Sequence, residues 1–150
     1  MELGKENRIL DAMSKVTVVF RDKHLLCGLN FPELLACHVV LDNEKANKHT
    51  RAKDIADTME ISKPGVSKLL NNMEQKGLIV REHRTEDRKA VFVLLTGKAR
   101  DILEEQQATA RSVTEKVFAE MGKDKANQLI ALADAFYESY KKTEATLWEN

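Results

Sequence analysis

The sequence predicts a mostly α-helical chain carrying one small β-hairpin, an α+β arrangement in which strands are the minor part. Three observations carry this. Apolar residues recur at steps of three and four through most of the 150 residues, the spacing that gives a helix one apolar face. The pattern breaks once, between Leu78 and Leu95, where two runs rich in β-branched and apolar residues flank a charged stretch. Capping and breaking residues (Ser62, Gly77, Thr96 and Gly122) fall at the joints between these segments.

The elements follow in order. Ile9, Met13, Val16, Phe20 and His24 line one face of a first helix, which the stretch Cys27-Gly28-Leu29-Asn30 is expected to end. Pro32 in a first turn, with Leu34, Leu35, His38, Val39 and Leu41, begins a second helix. Polar residues 42–49 are expected to form a loop. Thr50 is expected to cap a short third helix with Ile55, Ala56 and Met59 inward. Ser62 caps a fourth from about Lys63 to Lys76, with Pro64 in its first turn and Gly77 at its end. Strands over Leu78–His83 and Ala90–Leu95 enclose Arg84–Lys89, which holds no apolar residue and is expected to be the charged hairpin tip. Thr96 opens a long fifth helix with Ala99, Val113, Val117 and Met121 on one side. After Gly122 a last helix carries Ala126, Leu129, Ala133, Phe136 and Tyr140. The stripes of these two helices either meet a second subunit or pack within one chain.

Composition narrows the function. Apolar residues make 43% and charged residues 32% of the chain, an ordinary globular balance. No apolar run approaches the ~20 residues of a membrane span, and the charged N-terminus carries no secretory pattern, so a cytoplasmic location and no membrane partner are expected. Two cysteines, Cys27 and Cys37, make no disulfide framework and no CxxC zinc pair. The net charge is zero, yet it is segregated. Ser62–Lys89 holds seven cations and four carboxylates, whereas Asp101–Asn150 holds six cations and ten carboxylates. A local basic face suffices for phosphate.

Residues 50–77 have the form of a helix-turn-helix, in which the second helix enters the DNA major groove. Ser62, Lys63, Pro64, Gly65, Ser67, Lys68 and Asn71 supply small or hydrogen-bonding side chains and cations on its outer side, and Val66, Leu69, Leu70 and Met73 supply the packed side. Taken alone, this pattern also fits a capped surface helix. The hairpin adds Arg84, Arg88 and Lys89 at a loop tip able to enter a minor groove, with Asp87 placed to hold an arginine in shape. The whole is a winged helix-turn-helix.

The run from Asp54 to Arg100 resembles the central segment of the MarR family of bacterial transcriptional regulators. The carrying pieces are Asp54-Ile55-Ala56, Ser62 to Ser67, Met73 to Ile79, Asp87-Arg88-Lys89 and Leu95-Thr96. Lys89 stands where the family has a second arginine and lacks the planar fork of one; Gly97 lies two places before the usual glycine. The resemblance implies one MarR-like domain over 1–150. Residues 31–95 would form the winged helix-turn-helix DNA-binding lobe, and 1–30 and 96–150 long N- and C-terminal dimerisation helices. It further implies a homodimer on a pseudo-palindromic site of double-stranded DNA, acting as a repressor, and a small-molecule effector lodged near Phe20, His24, Cys27, Phe31 and His38. The plainer expectation for those five is that they are core residues. A thiol switch at Cys27 or Cys37, and a helical interaction module that binds no DNA, are the alternatives. No metal site, cofactor or enzyme motif is legible.

Overall fold

The computed structural model describes residues 3–84 and 87–147, with the side chains of 3, 5, 6, 84, 87–90, 145 and 147 outside that description. Its elements are α1 (Leu3–Phe20), α2 (Phe31–Lys45), α3 (Ala52–Thr58), α4 (Lys63–Gln75), β1 (Ile79–Arg84), β2 (Asp87–Leu95), α5 (Gly97–Met121) and α6 (Lys123–Leu147). The fold is mostly helical with one antiparallel hairpin, as the periodicity predicts. The chain divides into two compact units, Met1–Ala108 and Thr109–Asn150. No described helix is long and apolar enough to cross a membrane.

The first unit is organised around Val40, Cys37, Ile55, Leu70, Met73, Leu78, Ile79 and Val93, all essentially without exposed surface. α2, α3, α4 and the hairpin thus each contribute to one core, completed by Ala99 and Leu103 from α5. Polar groups lock its joints. Glu33, buried in the first turn of α2, accepts from the Asn30 amide (2.9 Å) while Asn30 Oδ1 accepts from the Glu33 amide (2.9 Å), a reciprocal cap. The same carboxylate accepts from Lys76 Nζ at 2.7 and 2.9 Å, which ties the end of α4 to α2. Arg100 of α5 makes a two-pronged contact with Glu44 of α2 (3.0 and 2.8 Å).

Four boundaries differ from the sequence expectation. α1 ends at Phe20, not near His24, because the Asp22 carboxylate accepts from the His24 amide (2.8 Å) and holds a turn there. Asn30 therefore begins α2 instead of ending α1; Cys27 (φ 47°) and Gly28 (φ 84°) take the left-handed turn. α2 continues to Lys45 through residues expected to be loop. Thr50 caps nothing: its carbonyl accepts from the Val93 amide (2.9 Å) and its hydroxyl from Asn43 Nδ2 (3.1 Å). The N-cap position is Arg51, which also bridges to Phe92 and so adds one residue of a third strand to the hairpin.

β1 and β2 pair from Ile79↔Leu95 to His83↔Val91, then the register shifts so that Arg84 faces Asp87. The strands therefore run through most of the stretch expected to be tip, leaving only Thr85 and Glu86 between them, and these two lie outside the described residues. Residues 88–90 fall in the irregular part of the ladder, the kind of bulge that re-aims side chains. In the second unit, Gly122 (φ 83°) separates α5 from α6 as expected.

Candidate nucleic-acid interface

Local chemistry explains why α4 starts and stops where it does. Ser62 has an extended backbone (φ −66°, ψ 159°) and its Oγ accepts from the Gly65 amide at 3.2 Å. A Cβ at Gly65 would lie 3.3 Å from that oxygen, so glycine leaves the cap its room. At the other end Gly77 adopts φ 68°, with its amide bonded to the Glu74 carbonyl (2.9 Å) and the Leu78 amide to the Met73 carbonyl (2.8 Å). This is the paired C-terminal closure that needs a left-handed residue. α3 ends with the same pair of bonds, Glu60 to Asp57 and Ile61 to Ala56, although Glu60 rather than a glycine takes φ 53°.

Between those ends the helix is sharply two-sided. Val66, Leu70 and Met73 are buried and Leu69 is half-buried. On the opposite side Pro64, Lys68, Asn71 and Gln75, at successive steps of four, three and four, form an exposed stripe flanked by Lys63 and Ser67. Every residue expected on the outer side is exposed except Gly65, which is half-buried, and Ser62, also exposed, uses its oxygen in the cap. Gln75 completes the stripe and was missed by the sequence reading. Its signal in the sequence is its place four residues beyond Asn71, on the same face but away from the helix N-terminus.

Two cations of the basic segment do not face outward freely. Lys76 is bound to Glu33, and Arg81 on β1 is bound to Glu74 (Nε 3.1 Å, Nη2 2.6 Å) and to Asn71 Oδ1 (Nη2 2.6 Å). The hydrogen bond from Arg81 holds the Glu74 carboxyl below its ordinary range. Lys63 and Lys68 remain as the exposed cations of α4. A further group spans the end of the expected loop and the start of the third helix: Lys48, Arg51 and Lys53 are all exposed, with no carboxylate among residues 45–53. The Arg51 guanidinium lies 5.6 Å above the centre of the Phe92 ring, and His49 meets that ring edge-on at 6.0 Å. The side chains of Arg84, Asp87, Arg88 and Lys89, expected to carry the minor-groove contact, lie outside the described residues; their backbone is placed at the far end of the hairpin.

The five effector candidates are not core residues of the chain. Phe20, His24 and Phe31 are exposed, and Cys27 and His38 are half-buried. His24 and Cys27 share a turn in which Cys27 Sγ donates to the His24 carbonyl (3.6 Å). Cys37 is fully buried, and burial, with a smaller push from the Glu33 charge, raises its thiol to about 11. A thiol kept neutral and out of solvent is a poor redox sensor. No cluster of three metal-ligating side chains occurs among the described residues.

Over residues 28–90 the sequence matches the MarR family. Solved structures with the same fold include YusO from Bacillus subtilis, at 17% identity and a TM-score of 0.67, covering 92% of this chain and 99% of that one. A mutant of MepR from S. aureus gives 17% identity and a TM-score of 0.71, with 93% and 98% covered. CouR, a transcriptional repressor solved bound to a 23-mer DNA duplex, gives 20% identity and a TM-score of 0.67, with 91% and 98% covered. At these identities the structural likeness is one of fold. The family match is thus carried by residues 28–90, which hold α2, α3, α4 and most of the hairpin, and the chain shares the fold of these structures.

Proposed function

We propose that this protein is a transcriptional regulator that binds double-stranded DNA in the cytoplasm as a homodimer, occupying a pseudo-palindromic operator as a repressor. The observation that carries the reading is the two-sided α4, whose exposed Pro64, Lys68, Asn71 and Gln75 lie directly opposite the buried Val66, Leu70 and Met73. A helix held so firmly on one side and offering hydrogen-bonding groups and a cation on the other suits a major groove. The wing would reach the adjacent minor groove through Arg88 and its neighbours. That CouR, of the same fold, is a repressor solved on DNA supports the reading.

The dimer is supported by apolar side chains that the described structure leaves exposed: Ile9, Leu10, Met13 and Val16 on α1, and Leu129, Phe136 and Tyr140 on α6. Two half-sites about one helical turn, on the order of 34 Å, apart would then be read symmetrically. A small-molecule effector is a second reading, favoured by the exposure of Phe20 and Phe31 in the same stretch of chain as the half-buried Cys27 and His38.

Fluorescence anisotropy with a selected operator tests the proposal. Wild-type affinity falls with salt, and Lys68→Ala and Arg88→Ala each reduce the slope of log K against log salt by about one. An affinity that ignores salt sinks the DNA reading.

A further inference from the structure

We infer that Arg81 decides which base edge Asn71 can read: by drawing the Asn71 carbonyl oxygen toward β1 it turns the donor end of the amide outward, which favours guanine over adenine. The inference rests on the DNA-binding reading above.

Asn71 is exposed near the middle of the outward stripe of α4, the position from which a side chain meets the floor of a groove. An asparagine there ordinarily pairs with adenine through both ends of its amide, accepting from N6 and donating to N7. Here the oxygen is already engaged. Arg81 Nη2 lies 2.6 Å from Asn71 Oδ1, and a guanidinium has donors and no acceptor, so the assignment of oxygen and nitrogen in the amide is unambiguous. Arg81 is itself pinned by Glu74 through Nε and Nη2 (3.1 and 2.6 Å). Because that carboxyl is held below its ordinary range by the same hydrogen bond, it stays charged and keeps the guanidinium in place at neutral pH.

The consequence is directional. The Asn71 oxygen is turned toward β1, and its Nδ2 donates to no group among the described residues. Two N–H donors facing the groove match guanine, which offers O6 and N7 side by side. Thymine offers one acceptor, O4. Adenine sets its own N6 donor against an N–H, and cytosine offers only a donor. Arg81 is thus a positioning residue: it contacts no base and acts through Asn71.

Selection of bound duplexes from a random pool by the full chain tests this. Wild-type protein should show one position in each half-site where guanine is favoured, and Asn71→Ala should flatten that position alone. Arg81→Met, which frees the Asn71 oxygen, should move the guanine-to-adenine preference there by roughly tenfold toward adenine, the scale of one bidentate base contact. Arg81→Lys, still a donor, should keep guanine. If Arg81→Met proves unfolded by circular dichroism, Glu74→Gln loosens the same guanidinium and should give a smaller shift in the same direction. Unchanged base preference in a folded Arg81→Met or in Glu74→Gln overturns the inference. So does an Asn71-dependent position that already prefers adenine, or an Asn71→Ala selection identical to wild type. Enrichment of no duplex by wild-type protein is a different failure, since it removes the DNA-binding reading itself.

Discussion

The lobe formed by α2 to β2 and the helices α1 and α6 use similar apolar residues in opposite ways. In the lobe, Val40, Ile55, Leu70 and Met73 have at most 1% of their surface exposed. On α1, Leu10 is 63% exposed and Phe20 62%, and on α6 Leu132 is 68% exposed and Phe136 53%. One region is a completed core; the others are faces whose cover does not come from the described chain. Apolar surface of that extent on a soluble helix costs free energy unless a partner removes it from water. The lobe is therefore expected to hold its own shape, and the flanking helices to gain theirs from association.

The largest test of that contrast is within the lobe. Leu70→Ala opens a cavity at the centre of the core and should lower stability by about 3 kcal/mol, read as a lower urea midpoint with an unchanged slope. A cost below about 1 kcal/mol would mean that the lobe is looser than its burial implies. Next in size is Leu129→Glu combined with Phe136→Glu on α6. If those faces form the interface, each removes a buried anchor, and the pair should weaken self-association by at least roughly 30-fold. Sedimentation velocity should then find monomer at concentrations where wild type is dimeric, with the hairpin and α4 intact by circular dichroism. A dimer that persists places the interface elsewhere. Smallest is Ser62→Ala, which removes the oxygen that caps α4 and should cost about 1 kcal/mol. Amide exchange at Gly65 should speed up while exchange at Met73 stays as in wild type, since fraying is confined to the first turn.

Much of the lobe was legible in the sequence because its boundaries are set by local chemistry. Ser62, Gly77, Thr96 and Gly122 mark helix ends through bonds to residues within a few places of themselves, and the structure uses each of them so. What was not legible depends on distant partners or on competition between neighbours. Nothing near Thr50 announces that its carbonyl is claimed by Val93, and a threonine before a helix looks like a cap. The polarity of Arg84 and Asp87–Lys89 predicts a tip, but strand pairing is decided across the ladder, not by the polarity of one strand. His24 continued the spacing of α1 while Asp22 was already closing a turn. In the candidate interface the outward residues of α4 followed from its period. The engagement of Arg81 with Asn71, ten places apart across a helix and a strand, did not.

The end of α4 carries one more lesson. The turn that closes it is itself held from beyond the hairpin: Thr96 Oγ1 donates to the Gly77 carbonyl at 2.7 Å, the Thr96 amide to the Leu78 carbonyl at 3.0 Å, and Lys98 Nζ to the Lys76 carbonyl at 2.7 Å. The reading helix is thus finished by residues that arrive only after the chain has gone out along one strand and come back along the other. It cannot be excised as a short peptide and keep its form, because a cut after Gly77 takes the Leu78 amide from the Met73 carbonyl and removes Ile79 and Val93 from the core beneath. Evolution can exchange the outward side chains of such a helix freely, but the helix itself travels only together with its hairpin and the first turn of α5.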